Sequence, residues 1–197
     1  LCWDAGHLYI AARAHEPYLE PRLNMLDAVK ATHNERDSAV WDDDCVELFL
    51  QPPDAVYRHI AVNSTGTLYD ALDQGQEWDG EWRVAANRGD DSYTIEMGIA
   101  FDSLGGEPEG DWRANFARER TALTELSTWS GLQGGFHQSA QFGILRFAPN
   151  APAITASTLS LQPDGYTLEA SIAGHTDTDD LALIARLVCG DARVSRA

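Results

Sequence analysis

The hydrophobic and polar positions of this chain alternate along most of its length, and a period of two marks strands with one buried face. Over 8–15 the apolar positions are Leu8, Ile10, Ala12 and Ala14, with Tyr9, Arg13 and His15 on the opposite side. Asp4, Ala5 and Gly6 read as a hairpin turn after Trp3, so the chain opens on two antiparallel strands. Over 44–50, Val46, Leu48 and Leu50 fall on one side and Cys45, Glu47 and Phe49 on the other, until Gln51, Pro52, Pro53 and Asp54 end the strand. Glu47 is thus a carboxylate in mid-strand, a position that faces water, pairs with a cation or touches a ligand.

The same alternation predicts strands over 57–63, 67–72, 82–87, 93–101, 112–118 and 142–147, with glycine-bearing turns at Gly66, Gly89 and Gly105–Gly106 between several of them. In 93–101, Tyr93, Ile95, Met97, Ile99 and Phe101 form the core face of a central strand. Helical spacing occurs once, at Leu19, Leu23, Leu26 and Val29, where Pro21 limits it to a short helix in a loop. Short strands joined by turn chemistry predict an all-β fold, an antiparallel β-sandwich or a barrel.

After Phe147 the composition shifts. Residues 148–153 read as a linker around Pro149 and Pro152, and 154–161 and 166–172 flank Pro163, Asp164 and Gly165 as a hairpin would. Residues 181–189 add a candidate strand. About 45 residues are few for an independent domain, so 154–197 reads as a β-rich extension or a truncated second sandwich following a domain over 1–147.

With 197 residues, 44% of them hydrophobic, the chain can bury a sizeable core. Its 31 acidic residues against 14 Lys and Arg leave a charge of −17, which repels phosphate backbones and anionic lipids. Nucleic acid and membranes are therefore excluded as expected partners, and neutral sugars or divalent cations fit better. No apolar run approaches the length of a membrane span. Cys2, Cys45 and Cys189 have neither disulfide-framework nor zinc spacing. The chain begins at Leu1 without a signal segment and is read as a piece of a longer, processed protein.

Catalytic signatures such as GxSxG, HExxH and glycine-rich phosphate loops are absent, and the six histidines fall at no ligand spacing. A glycosidase needs two carboxylates flanking a bond. Asp42, Asp43, Asp44 and Glu47 cluster at one strand entry, so only a distant partner such as Glu96 could face them. The three aspartates are read as a turn, a cap or, at Asp43 and Asp44, ligands for calcium, the one cofactor these residues suggest. Most of the six tryptophans fall in strand patterns and read as core, whereas Trp41 lies in a polar loop entering a strand. Sugar rings pack apolar C–H faces on aromatic rings while their hydroxyls seek carboxylates, which pairs Trp41 with Glu47 as candidate ligand contacts. Phe136 and His137, behind Gly134 and Gly135, are a candidate second wall.

The ordered series of Trp3, Trp41 with the WDDDCVELFL run to Leu50, Asn63, the Tyr93 strand, Trp129 and the strand ending at Phe147 resembles carbohydrate-binding module family nine, a sandwich related to the DOMON superfamily. The resemblance implies a non-catalytic module of a larger secreted, or periplasmic, glycan-active protein. Its partners are then an oligosaccharide or polysaccharide chain end and the neighbouring domains. It also implies that Trp41 and Phe136 clamp a terminal sugar, that Glu47 binds its hydroxyls, and that His137 and Gln133 lie at the same site. Two departures from that family stand out: a ligand-contacting arginine aligns with Ala61, and asparagines ahead of the second aromatic align with Gln133 and Gly134. Two alternatives stay open at this level. One is a purely structural spacer; the other is a haem-binding electron-transfer domain drawing on Met25 or Met97.

Overall fold

The hairpin expected at the start forms because Asp4 Oδ1 accepts hydrogen bonds from the backbone N–H groups of Gly6 and His7, each at 2.8 Å, reversing the chain. The computed structural model describes residues 1–16, 29–89, 91–121 and 124–148, and the backbone of 153–162, 165–173, 185–189 and 192–196. Contacts divide the chain into Leu1–Arg146 and Phe147–Ala197.

The first unit is an antiparallel sandwich. One sheet runs β1 (Cys2–Trp3), β2 (His7–His15), β8 (Ser92–Ala100), β7 (Trp82–Arg88). The other runs β10 (Glu125–Thr128), β9 (Asp111–Arg120), β3 (Cys45–Gln51), β4 (Arg58–Asn63), β5 (Leu68–Leu72), β6 (Gln76–Glu77). Strand β11 (Gly143–Arg146) also pairs with β9. Phe101, expected at a strand end, instead begins the one-turn helix α1 (Phe101–Leu104) that Gly105 closes at φ 106°, and its ring remains buried.

The inner face is identified by Arg118, whose guanidinium lies 5.7 Å from the Tyr93 ring centroid of the opposite sheet. Arg118 pairs with Val46 in register, so alternation puts Val46, Leu48 and Leu50 toward the first sheet with Ile95 and Ile99. The other face of β3 is covered as well. Phe49 and Ala117 pack there with Tyr57, Leu132, Phe136 and Phe142 in a second apolar cluster. This double burial explains why CVELFL is nearly continuous in apolar residues.

The cover over that outer face comes from an interruption of the sheet edge. Strand β10 pairs with the 117–120 end of β9 and β11 with its 111–114 end. Residues 129–142, between these two half-strands, leave the edge and fold back over the sheet.

In the second unit β12 (Ala153–Gln162) pairs with β13 (Gly165–Ala173), and β14 (Ala185–Cys189) pairs with β15 (Ala192–Arg196), both antiparallel. The short helix expected over 20–30 falls, Val29 and Lys30 apart, outside the described residues, as do 149–152 of the expected linker. No helix among the described residues is long and apolar enough to cross a membrane.

Candidate functional site

Strand register builds a trough across the outer face of the larger sheet. Glu47 on β3 lies opposite Ala61 on β4 and Ala117 on β9, and Ala61 lies opposite Tyr69 on β5. Two alanines flanking a glutamate leave room above them. One neighbouring row holds His59 and Phe49, and the other holds Cys45, Glu119 and Leu126. Glu47, His59 and Glu119 thus meet as diagonal neighbours on three adjacent strands.

The trough opens into a cleft of about 500 Å³ lined by Trp41, Glu47, His59, Tyr69, Gln74, Gly75, Glu119, Leu126, Gly135, Phe136 and His137. Trp41 is carried by a 3₁₀ turn over Val40–Asp42 that Val40 anchors in the core. Its ring meets Tyr69 edge to face at 4.8 Å and 82°, and remains 37% exposed. Leu126 is also exposed, so the rim offers apolar surface to a ligand. A smaller recess of about 360 Å³ adjoins on the other side of Trp41, sharing Trp41, Glu119 and Leu126.

At the bottom, Glu47 Oε2 lies 2.5 Å from His59 Nε2, and both side chains are buried. The His59 ring stacks on Phe49 at 4.5 Å and 5°. Burial lowers the His59 pKa to about 4, so the imidazole is neutral near neutral pH. Burial raises Glu47 to about 7, partly opposed by its interaction with Glu119. Glu119 is raised to about 7 by burial, then by the charge of Glu47 and its contact with it. Glu47 Oε1 is buried and has no hydrogen-bond partner. His137 Nδ1 is 2.7 Å from the Tyr57 hydroxyl, with its ring edge-on to Phe49 and His59. Burial, then the proximity of His59, holds the His137 pKa down.

The loop bearing Phe136 turns inward through Gly134 and Gly135, at φ 78° and 148°, conformations that a side chain rarely adopts. Gln138 Nε2 braces the loop by donating to the carbonyls of Gln133 and Gly135. Phe136 itself is only 8% exposed and packs edge-on against Phe49, so most of its ring belongs to the outer-face cluster. Trp41, Glu47, Phe136 and His137 are therefore brought to one cleft. Gln133 is exposed and outside the cleft lining.

Asp43 and Asp44 are engaged as ties. Asp43 Oδ1 accepts from the Thr32 N–H and hydroxyl, and Oδ2 from the His33 N–H and Asn63 Nδ2. Asp44 Oδ2 accepts from the Lys30 N–H at 2.6 Å. At Asp43 the geometry is that of a tie between the 32–33 segment and Asn63 of β4. Glu96 sits on β8 of the other sheet, paired with Ala11 and Ala85, and does not reach Glu47. Among the described residues, one acidic trio has oxygens within 4.8 Å of one another, Asp37, Asp70 and Asp79. Arg36 already supplies its cation, 2.7 Å from Asp70 and 3.2 Å from Asp79. Met97 is core, and Met25 lies outside the described residues.

Residues 21–92 match the model of a family described as carbohydrate-binding family 9. A Bacteroides uniformis protein with a provisional carbohydrate-binding name shares the fold, with a TM-score of 0.56 and 20% identity over 71% of this chain and 72% of that one. Over 21–92 the chain is similar to carbohydrate-binding family 9. Two structures of a Caldicellulosiruptor kristjanssonii family 9 module, with cellotriose and with glucose, match at TM-scores of 0.44 and 0.42. They are 20% and 21% identical over 64% of this chain, and over 59% and 60% of theirs. Comparison with curated proteins finds none that matches. The stretch over 21–92 includes Trp41, Glu47, His59 and Tyr69. Glu119, Leu126, Phe136 and His137 lie beyond it.

His59, Tyr69 and Glu119 escaped the sequence reading because each sits in an ordinary strand pattern. Only the register places them beside Glu47.

Proposed function

We propose that the family 9-like domain is a non-catalytic module that holds the end of an oligosaccharide or polysaccharide chain in the cleft beside Trp41. A pyranose ring stacks on the exposed Trp41 face, and Glu47 accepts hydrogen bonds from its hydroxyls. Phe136 and His137 close the opposite side, and Gln133 stays outside. The observation that carries this reading is the juxtaposition of an exposed tryptophan with a buried carboxyl oxygen, Glu47 Oε1, that has no partner within the protein. Such an acceptor at the floor of an aromatic-rimmed cleft suits a ligand with directional donors.

The carboxyls of Glu47 and Glu119 are diagonal neighbours on adjacent strands of one face. Hydrolysis uses two carboxyls on either side of a glycosidic bond, separated by about 5–10 Å, whereas these two are in contact with each other, which supports binding rather than catalysis. The module then serves a larger secreted glycan-active protein by keeping it at its substrate.

Calorimetric titration of wild type and Trp41→Ala with a panel of soluble oligosaccharides tests the proposal. Saturable binding by the wild type, weakened at least about tenfold in the variant, supports it. Absence of binding across the panel leaves a structural spacer as the better description.

A further inference from the structure

We propose that the cleft selects sugars carrying a free primary amine, of which a glucosamine unit is the simplest, over their neutral or acidic counterparts, with Glu47 and Glu119 receiving the ammonium group. This rests on the reading of the cleft as the sugar site and names the class of sugar.

The titratable residues that line the cleft are Glu47, Glu119, His59, His137 and Tyr69, with no lysine or arginine among them. Burial lowers the pKa of both imidazoles, to about 4 at His59, which leaves the carboxyls as the charged groups of this floor near neutral pH. Lys30 and Arg120 line the adjoining recess and are engaged elsewhere, Lys30 Nζ with the Asp42 carbonyl and Arg120 with Glu16 and Glu125.

The second observation is independent of charge count. Glu47 is 2% exposed, its Oε2 is held by His59, and its buried Oε1 has no partner. A buried acceptor left open costs free energy that a donor in the cleft recovers. A sugar hydroxyl offers one donor and no countercharge. An ammonium offers three donors and a full positive charge, matching an open carboxyl oxygen on Glu47 and a second carboxyl on Glu119. The Trp41 and Tyr69 rings in the same lining add faces that attract cations.

Proton balance follows from the same geometry. With both carboxyls raised to about 7, the unliganded pair retains roughly one proton near neutral pH. An ammonium arriving between them favours the ionised forms, so that proton leaves for solvent as the ligand binds. Apart from this proton transfer from carboxyl to solvent, no covalent bond is made or broken. A net charge of −17 also favours the approach of a cationic chain and disfavours an acidic one.

The test titrates the whole chain at about neutral pH with triglucosamine, its fully N-acetylated form and cellotriose, in two buffers of different ionisation enthalpy. Triglucosamine is expected to bind at least about tenfold more tightly than the other two, releasing protons that make its heat buffer-dependent. Glu119→Gln should reduce the preference to within about threefold. Equal or tighter binding of cellotriose or the N-acetylated trimer overturns the inference and leaves the sugar-site reading standing. Absence of binding to all three overturns both. A preference that survives in both Glu119→Gln and Glu47→Gln, or that disappears when divalent cations are chelated, also overturns it. Circular dichroism confirms that each variant is folded. If Glu47→Gln is not, the wild-type comparison and Glu119→Gln decide.

Discussion

Glu47 and His59 meet at 2.5 Å beneath the cleft, from adjacent strands and out of reach of solvent. Their contact joins a carboxyl whose proton affinity is raised by burial to an imidazole whose proton affinity is lowered by it. The site is consequently tuned by its depth as much as by its residue types.

This depth has a consequence for stability against pH. An acid whose folded pKa exceeds its ordinary value stabilises the fold below the ordinary value, 4.5 for Glu47 and Glu119, and that contribution is lost as pH rises through about 7. His59 acts oppositely: its contribution is present above 6.5 and lost as pH falls through about 4. Between these ordinary values the two slopes oppose one another, but two acids outweigh one imidazole. Thermal melts should therefore show Tm falling slowly from about pH 4.5 to 6.5 and faster toward pH 8, with a smaller decline in Glu119→Gln.

Trp41 and Phe136 share the cleft but differ in burial, and their alanine variants should separate accordingly. Phe136→Ala removes a ring from the outer-face cluster and should cost about 3 kcal/mol, a Tm drop of roughly 6–12 °C. Trp41→Ala gives up mainly one edge-to-face contact, about 1 kcal/mol, while weakening sugar binding. Equal destabilisation by the two substitutions would contradict the placement of Trp41 at the rim.

Asp43 holds the chain around Thr32 and His33 against Asn63. Burial alone would raise its pKa; the hydrogen bonds from Thr32, His33 and Asn63 outweigh that and lower it to about 2. The stabilisation is present above its ordinary value of 3.8 and lost as pH falls through about 2. Asp43→Ala leaves these donors without an acceptor and should cost about 3 kcal/mol by chemical denaturation. Because the same segment leads into the turn that carries Trp41, sugar affinity should fall as well.

Glu16 supplies a further check. Its carboxylate pairs with the guanidinium groups of Arg118 and Arg120, both on β9 and largely removed from water. Glu16→Ala takes this carboxylate from Arg118 and leaves Arg120 with Glu125 alone, and should destabilise the first unit by about 3 kcal/mol. Glu16→Gln, which keeps hydrogen-bonding capacity, should lose less.

The architecture of the first unit was legible in the sequence because half-buried strands write their period of two directly into residue order. The two-strand opening, the paired faces of β3 and the core face of β8 all follow from local alternation. The carboxylate–aromatic pair of Trp41 and Glu47 was legible too, since the two residues are close in sequence and chemically unusual where they stand. What alternation cannot express is which strands become neighbours, or in what register.

That information decided the rest of the site. Ala61 and Ala117 look like unremarkable strand residues, yet their positions on either side of Glu47 create the trough. Glu119 and His59 become partners of Glu47 only through diagonal pairing, and the loop over 129–142 covers the sheet only because β10 and β11 share one edge of β9. The sequence by itself determined the strands and the chemical character of Trp41 and Glu47, since both depend on local patterns of polarity. Tertiary structure alone decided that Glu47 is buried beside His59 and Glu119 and that Phe136 serves the core as well as the cleft, because burial and charge coupling arise from contacts between residues far apart in the chain.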